Sequence, residues 1–528
     1  MMAVATLFCS AQINGYEITP EQKVAFAERI IERYYLEDVD GDKLVDEAIK
    51  AMLKTLDPHS SYSDPQETEE LTQPLDGNFS GIGIQFNMVN DTLYVAQTIS
   101  GGPSEKVGIV AGDRILMAND TVISGGKKAN SEIMKVLRGP KGTTVDLLVK
   151  RRGVEEPLKF RVVRDDIPIY SIDAAFMAAP GVGYIRVSRF AEKTDKEFTD
   201  ALNKLKSQGM VDLIVDLEDN GGGYLGSAVN LASNFLKKGD IVTFTEAPKL
   251  GRTDMDVSKN GKYADGKLVV MVNQYSASAS EIFSGAIQDH DRGVIVGRRT
   301  YGKGLVQRPF PMPDGSMIRL TVSRYHTPSG RSIQKPYVDG DEEAYRKDLL
   351  NRYEAGEFSS DANIEFPDSL KYYTLKNHRT VYGGGGIMPD LFVPVDTTGY
   401  SNYYRDLVGA GDLIRASLSY VDDNRDALKK KYPTVEEFIA KFEITPDITQ
   451  KLIDFGKEDK VEYNDEEFKR SESVIKAIMK GLIGRGVYEQ EDYYRIVYPQ
   501  INNIYQEALK LIQDDARYQE LLQKGRMY

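Results

Sequence analysis

The chain has 528 residues, enough for about three or four domains and a large core, and carries a formal net charge of −13. That balance argues against nucleic acid or an anionic membrane surface as the principal partner, since either would repel an acidic protein. The single cysteine, Cys9, excludes an intrachain disulfide and a cysteine-built metal site, and His59, His290, His326 and His378 show no metal-ligand spacing, so no metal and no cofactor is expected.

Met1 to Ala11, MMAVATLFCSA, is a short apolar run ending in small residues, and Cys9-Ser10-Ala11 resembles a small-x-small cleavage site. Residues 1–11 are therefore read as a secretory signal peptide, which would send the protein to the periplasm or elsewhere in a bacterial cell envelope. Phe8 is too bulky for the position before a lipidated Cys9. No other stretch approaches the roughly 18 apolar residues of a membrane span. Residues 12–75 read as an N-terminal helical region, with Leu44, Val45, Ala48, Ile49, Met52 and Leu53 on one face of a helix. LDPHSSYS (Leu56 to Ser63) follows.

Residues 76–164 carry the glycine loop FSGIGIQF (Phe79 to Phe86), the segment GGPSEKVGIVAGDRILMAND (Gly101 to Asp120) and the alternating strand TTVDLLVKR (Thr143 to Arg151). Together these resemble a PDZ domain. The resemblance implies that Gly81, Ile82, Gly83 and Ile84 form the loop whose N–H groups receive a terminal carboxylate, after which the peptide adds as an extra strand. Arg164 closes the domain.

From Asp165 to Val395 the pattern becomes that of a core. GVGYIRVSRF (Gly181 to Phe190) reads as a strand, TDKEFTDALNKLKSQG as a helix and VDLIVDLEDN (Val211 to Asn220) as a second strand, which implies a parallel crossover and an α/β sheet. Gly221, Gly222 and Gly223 follow at a strand-to-helix corner. A second such corner comes after LVVMV (Leu268 to Val272), where SASAS precedes a helical pattern. The first N–H groups of a helix lack intrahelical partners and carry the positive end of its dipole, so an oxyanion formed there meets waiting donors.

A serine hydroxyl needs a base. His290 lies about three helical turns past Ser278, on the order of 18 Å along the axis, which is out of reach. Lys303, between Gly302 and Gly304, is the remaining candidate; to be neutral at pH 7 its pKa would have to fall by about 3 units through burial. Gly297, Gly302 and Lys303 fit the start of a phosphate loop, but Gly304 stands where the magnesium-binding hydroxyl belongs. Asp289 shares the helix face of Ser278 but stands about 16 Å away, so a structural role is expected of it.

SASASEIFSGAIQD followed by TYGKGLVQ resembles the carboxy-terminal processing proteases of the S41 serine peptidase class. The resemblance implies that the middle serine, Ser278, is the nucleophile, that Lys303, 25 positions on, is its base, and that Gln307 orients the lysine. In an extended strand Gln307 would lie about 13 Å from Lys303, so contact would need a bend near Gly304. By the same resemblance the Ala279 amide and one glycine of the earlier corner form the oxyanion hole; Gly222 is the choice, with Gly223 in reserve. LDPHSSYS recurs in the family ahead of its peptide-binding domain, which makes His59 a structural residue, and an arginine at the place of Arg164 can couple peptide occupancy to activation.

RLTVSRYHTPSGRSIQ and GGGGIMPD also resemble the family; between them, residues 335–382 are expected to form an insertion or extended loop. Residues 396–528 read as helical, without a chemical motif, and could cover the core or mediate a homodimer. The expected fold is thus α/β: a parallel-sheet crotonase/ClpP-like S41 protease core (165–395) with an inserted PDZ domain (76–164) and helical N- and C-terminal regions. The expected function is a secreted serine endopeptidase cleaving near the exposed C-terminal tails of protein or peptide substrates. The alternative is a non-catalytic PDZ scaffold on a protease-like fold.

Overall fold

The computed structural model describes residues 18–525 except Asn90, Ser100 and Leu250. The segment read as a signal peptide lies outside the described residues. The chain forms two compact units, a smaller one ending at Thr68 and including Gln307–Thr321 and Tyr337–Tyr345, and a larger one containing the rest.

In the smaller unit, Thr19 and Asp40 cap the helices Pro20–Tyr34 and Gly41–Lys54, each side chain accepting a main-chain N–H. Their apolar stripes are largely uncovered. Phe26, Ile30, Val45 and Met52 are all exposed, and only Leu53 of the predicted face is buried. LDPHSSYS folds around Asp57, whose carboxylate accepts His59 N–H, Ser60 N–H, the Ser60 hydroxyl and the Thr321 hydroxyl. His59 Nε2 meets the Tyr345 hydroxyl at 2.9 Å. The segment is structural, as the sequence reading expected of His59.

The larger unit is built on a six-stranded sheet in the order Ile172–Ala179, Val182–Val187, Asp212–Asp216, Leu268–Val272, Val294–Gly297 and Leu391–Phe392. The first pair is antiparallel and every later pair parallel. A parallel sheet covered on both faces needs continuous apolar strands, and all five residues of LVVMV are fully buried. One face packs the helices Thr194–Ser207, Leu225–Ala232 and Ala279–Asp289 through residues such as Phe198, Leu231 and Phe283. The opposite face, with Ile214, Val269 and Met271, is covered by Ile504, Tyr505, Ala508 and Leu511.

Those last residues belong to the helix Asn503–Gln513, and Tyr518 of the following helix, Asp515–Lys524, joins the same core. The C-terminal region that looked uniform in sequence therefore divides. The helices between Asn402 and Val487 close a core of their own around Leu407, Leu452, Met479 and Ile483, while the final two complete the protease sheet. Each buried Ile or Leu there is worth about 1.5–3 kcal/mol, so the core sheet depends on the far end of the chain.

Residues 335–382 correct an expectation. They are not an extended loop: they hold the helix Glu342–Glu354 and a two-stranded hairpin, Lys371–Tyr373 with Thr380–Tyr382. Glu357 accepts from both Arg299 and Arg352, and Arg352 donates to the Arg299 and Thr300 carbonyls, so buried ion pairs help to order the segment.

The PDZ segment forms its own six-stranded sheet with Ile84–Val89 at one edge, next to Thr92–Thr98. Its core gathers Ile82, Leu93, Ile115, Leu147 and Val149 with Ile133 of the helix Asn130–Leu137. Among the described residues, no helix is long and apolar enough to cross a membrane.

Candidate active site

Ser278 occupies the corner between Leu268–Val272 and the helix Ala279–Asp289 with φ +56° and ψ −112°, a conformation that L residues adopt only under constraint. The constraint is visible in its neighbours. The Ser276 hydroxyl donates to Leu217 O at 2.7 Å and the Ser280 hydroxyl to Asn220 O at 2.8 Å, so both flanking serines are committed to structure. Among the described residues the Ser278 hydroxyl makes no capping bond, and its side chain is only half-buried. Geometry thus separates three serines that composition cannot.

Glu281 holds this corner to the next one. Its carboxylate is fully buried and accepts four hydrogen bonds: Ser278 N–H and Lys303 N–H at one oxygen (2.8 and 2.9 Å), Gly302 N–H and the Thr300 hydroxyl at the other (2.7 and 2.5 Å). Burial pushes its pKa up to about 7 against these bonds, which favour the ionised form. Tyr325 adds a second clamp, its hydroxyl donating to Lys303 O at 2.8 Å and Ser278 O at 3.2 Å. The main chains of Ser278 and Lys303 are thereby joined twice.

The glycines beside Lys303 are packed, not loose. A Cβ on Gly302, at φ +87°, would come within 3.2 Å of Gly386 N, and one on Gly304 within 2.8 Å of Gln334 N. Lys303 itself is half-buried. The neighbouring Lys335 is held by Asp348 at 2.9 Å.

The glycine corner meets the serine corner directly. A Cβ on Gly222, φ +105°, would lie 2.9 Å from both Ala277 O and Ser278 Cβ. Asn220 joins the two loops: its carbonyl accepts Ala277 N–H and the Ser280 hydroxyl, and its side chain donates to Val187 O. The same side chain accepts Gly222 N–H at 2.9 Å. Gly222, expected to donate to an oxyanion, thus spends its N–H within its own loop. Among the described residues the N–H groups of Gly223 and Ala279 have no acceptor. Upstream, Arg186 donates to Asp216 (2.6 Å) and to Glu218 O, fixing the strand end that carries this loop.

Gln307 lies in the smaller unit, where its amide donates to the Thr321 hydroxyl at 3.2 Å. His290 and His326 contact the carbonyls of Ile241 and Gly330, and Asp289 forms a fully buried ion pair with Arg331 at 2.7 Å, a structural role as expected. The sequence alone assigned no part to Glu281, Asn220 or Tyr325. The spacing Ser278-x-x-Glu281, a capping-box pattern, could have pointed to the first.

In the PDZ domain, Ile82 is a core residue, and the Ile82 and Gly83 carbonyls accept Ser104 N–H and Ile99 N–H. Their own N–H groups have no acceptor among the described residues. Gly83 has φ +74°, and Ile84 begins the edge strand. Arg164 is buried and donates to the Val136, Leu137 and Thr144 carbonyls and the Thr143 hydroxyl, closing the C-terminal end of the helix Asn130–Leu137.

Comparison with known proteins agrees with this architecture. The model of Peptidase family S41 matches residues 181–344 and that of the PDZ domain residues 80–162. The N-terminal domain of the activating protease CtpB matches residues 9–68, and a family of unknown function (DUF8443) residues 403–489. The chain is 36% identical over 352 residues to a carboxy-terminal-processing protease of Bartonella bacilliformis, covering 63% of this chain and 79% of that one. It is 33% identical over 338 residues to the carboxy-terminal processing protease CtpB of Bacillus subtilis (63% and 70%), and 34% identical over 354 residues to a probable CtpA-like serine protease of Staphylococcus aureus (65% and 70%). The chain belongs to the S41 family of serine peptidases. Within it, these relatives and its PDZ domain put it among the carboxy-terminal processing peptidases.

Proposed function

We propose that this peptidase is exported to the cell envelope and cleaves proteins near their C-terminal tails by a Ser/Lys mechanism. Ser278 attacks the scissile carbonyl, a neutral Lys303 takes its proton and returns it to the leaving amine, and Gln307 helps to orient the lysine. The Ala279 amide and, in place of Gly222, the Gly223 amide receive the tetrahedral oxyanion at the helix N-terminus. The observation that carries this reading is the Glu281 carboxylate, which pins the main chains of Ser278 and Lys303 to one atom. The parallel strand order supports reading the core as crotonase/ClpP-like.

In this reading the loop from Gly81 to Ile84 receives the terminal carboxylate of the tail, and the edge strand Ile84–Val89 accepts the tail as a further strand, concentrating substrate at the protease. The uncovered apolar residues Phe26, Ile30, Val45 and Met52 support a homodimer through the N-terminal helices, tested by light scattering before and after Phe26→Asp and Ile30→Asp. Cell fractionation tests export.

Turnover of peptides by the wild type, Ser278→Ala and Lys303→Arg tests the mechanism, because arginine keeps the charge and cannot serve as a neutral base. Loss of cleavage in both variants is expected. Equal cleavage by all three would remove the Ser/Lys mechanism, and tail binding without cleavage by any of them would favour a scaffold.

A further inference from the structure

We propose that the helical module between Asn402 and Val487 supplies a further wall at the far end of the tail-binding groove and reads the part of a substrate tail upstream of its last residues. This rests on the tail-capture reading above and extends it to a site made by two domains.

The direction of a bound tail follows from geometry. The loop whose Ile82 and Gly83 N–H groups have no acceptor among the described residues stands at the N-terminal end of the edge strand Ile84–Val89, so a tail whose carboxylate sits there must run antiparallel to that strand. With a rise of about 3.4 Å per residue, Met88 lies roughly 13 Å from Ile84, opposite about the fifth residue from the end of the tail.

At that point the strand no longer faces open solvent. Asn87, Met88 and Asn130 of the PDZ domain line a cavity of about 280 Å³ that is closed on its other side by the helix–helix turn at Ala410, Gly411 and Ile414. Gly411, at φ +79°, ends the helix Asn402–Ala410 and begins Asp412–Lys431, which fixes the turn's shape. Arg415, also on this wall, is held by Glu458 and by Asp459, so among the described residues no free cation lines the cavity. Ile414 presents apolar surface beside the unpaired edge of a strand. That combination suits an uncharged, extended peptide.

The wall is anchored to the PDZ domain. Arg114 pairs with Asp422 and Arg152 with Asp423, and Gln85 of the edge strand donates to Gln490 Oε1 at 2.7 Å. The module is thus tied to the PDZ domain through Asp422 and Asp423, and the segment just after it through Gln490.

Binding of labelled peptides of four and eight residues, sharing one apolar C-terminal sequence, is measured by fluorescence anisotropy on the full chain carrying Ser278→Ala, so that no peptide is consumed. The eight-residue peptide is expected to bind about tenfold more tightly than the four-residue one, the worth of a modest apolar contact. Adding Ile414→Glu should abolish this gain and leave the short peptide's affinity unchanged. Asp422→Ala with Asp423→Ala, which loosens the wall without touching the cavity, should reduce the gain as well. An equal gain in all three proteins, or none in the Ser278→Ala chain, overturns the proposal while tail capture stands. Binding of neither peptide overturns both.

Discussion

The main-chain N–H groups of Ser278 and Lys303, 25 residues apart in the chain, end on the same oxygen of Glu281 at 2.8 and 2.9 Å. A hydrogen bond to a charged group contributes about 1.5–3 kcal/mol to the arrangement it holds, and here that arrangement is the proposed nucleophile and base. Glu281→Gln keeps the volume but turns an NH2 group toward two of the four donors. We expect kcat to fall about ten- to a hundredfold with KM little changed, read from steady-state cleavage of a tail peptide. An unchanged kcat would leave Glu281 as packing alone.

The same carboxyl gives a pH signature. Burial pushes it up to about 7, so it is ionised above that pH and protonated below it, where one of its donors loses an acceptor. Activity should therefore fall as pH drops through about 7. In Glu281→Gln this contribution should be lost and the acid limb of kcat against pH should become shallower, leaving the part set by protonation of Lys303.

Gly222 and Gly221 are adjacent glycines with opposite prospects. A methyl group on Gly222 would strike Ala277 O and Ser278 Cβ at a backbone angle that favours glycine, whereas one on Gly221 meets nothing within 4 Å. Gly222→Ala should cost about 1–3 kcal/mol in stability and displace the serine corner, lowering kcat at least tenfold. Gly221→Ala should behave as wild type in both thermal unfolding and turnover.

Arg331 and Asp289 are both inaccessible to solvent, and Arg331 also donates to Gln288 Oε1 and Tyr382 O. Removing the cation strands a buried carboxylate. Arg331→Met should destabilise the protein by about 3–5 kcal/mol in denaturant unfolding, and Arg331→Met with Asp289→Leu should recover part of that loss. No recovery would show that Arg331 acts mainly through its carbonyl contacts.

Asp412 is buried with neither carboxylate oxygen hydrogen-bonded among the described residues, and burial, reinforced by Asp459, pushes it up to about 6 from 3.8. Its folded pKa is thus raised above the unfolded value. Between 3.8 and about 6 the folded state binds more protons, so the contribution is full below that window and is lost as pH rises through it. Asp412→Asn should raise the unfolding midpoint at about pH 8, approach wild type near pH 4, and flatten the slope between. An unaltered slope would assign the pH dependence to other groups.

Much of this protein could be read along the chain. Period and composition gave the buried strands LVVMV and VGYIRV, and the resemblance of short motifs gave the glycine loop ahead of an edge strand and the family to which the serine and lysine segments belong, because each is a local pattern complete within about a dozen residues. The structural part of Asp289 also followed from helix geometry, and that of His59 from the resemblance of its segment.

What the chain order could not supply are pairings between distant residues. Nothing local says that Asn220 accepts Gly222 N–H, that Glu281 collects donors from Ser278 and from Thr300 to Lys303, or that residues 335–382 are ordered by Arg299, Arg352 and Glu357. Nor does it say that the last two helices cover the open face of the sheet, with Tyr494 and Tyr498 of the helix before them packed beside it. Local periodicity records how a segment divides into apolar and polar faces, whereas the partner of a buried donor, carboxylate or face is chosen only when folding brings remote segments together and each must satisfy what water no longer can.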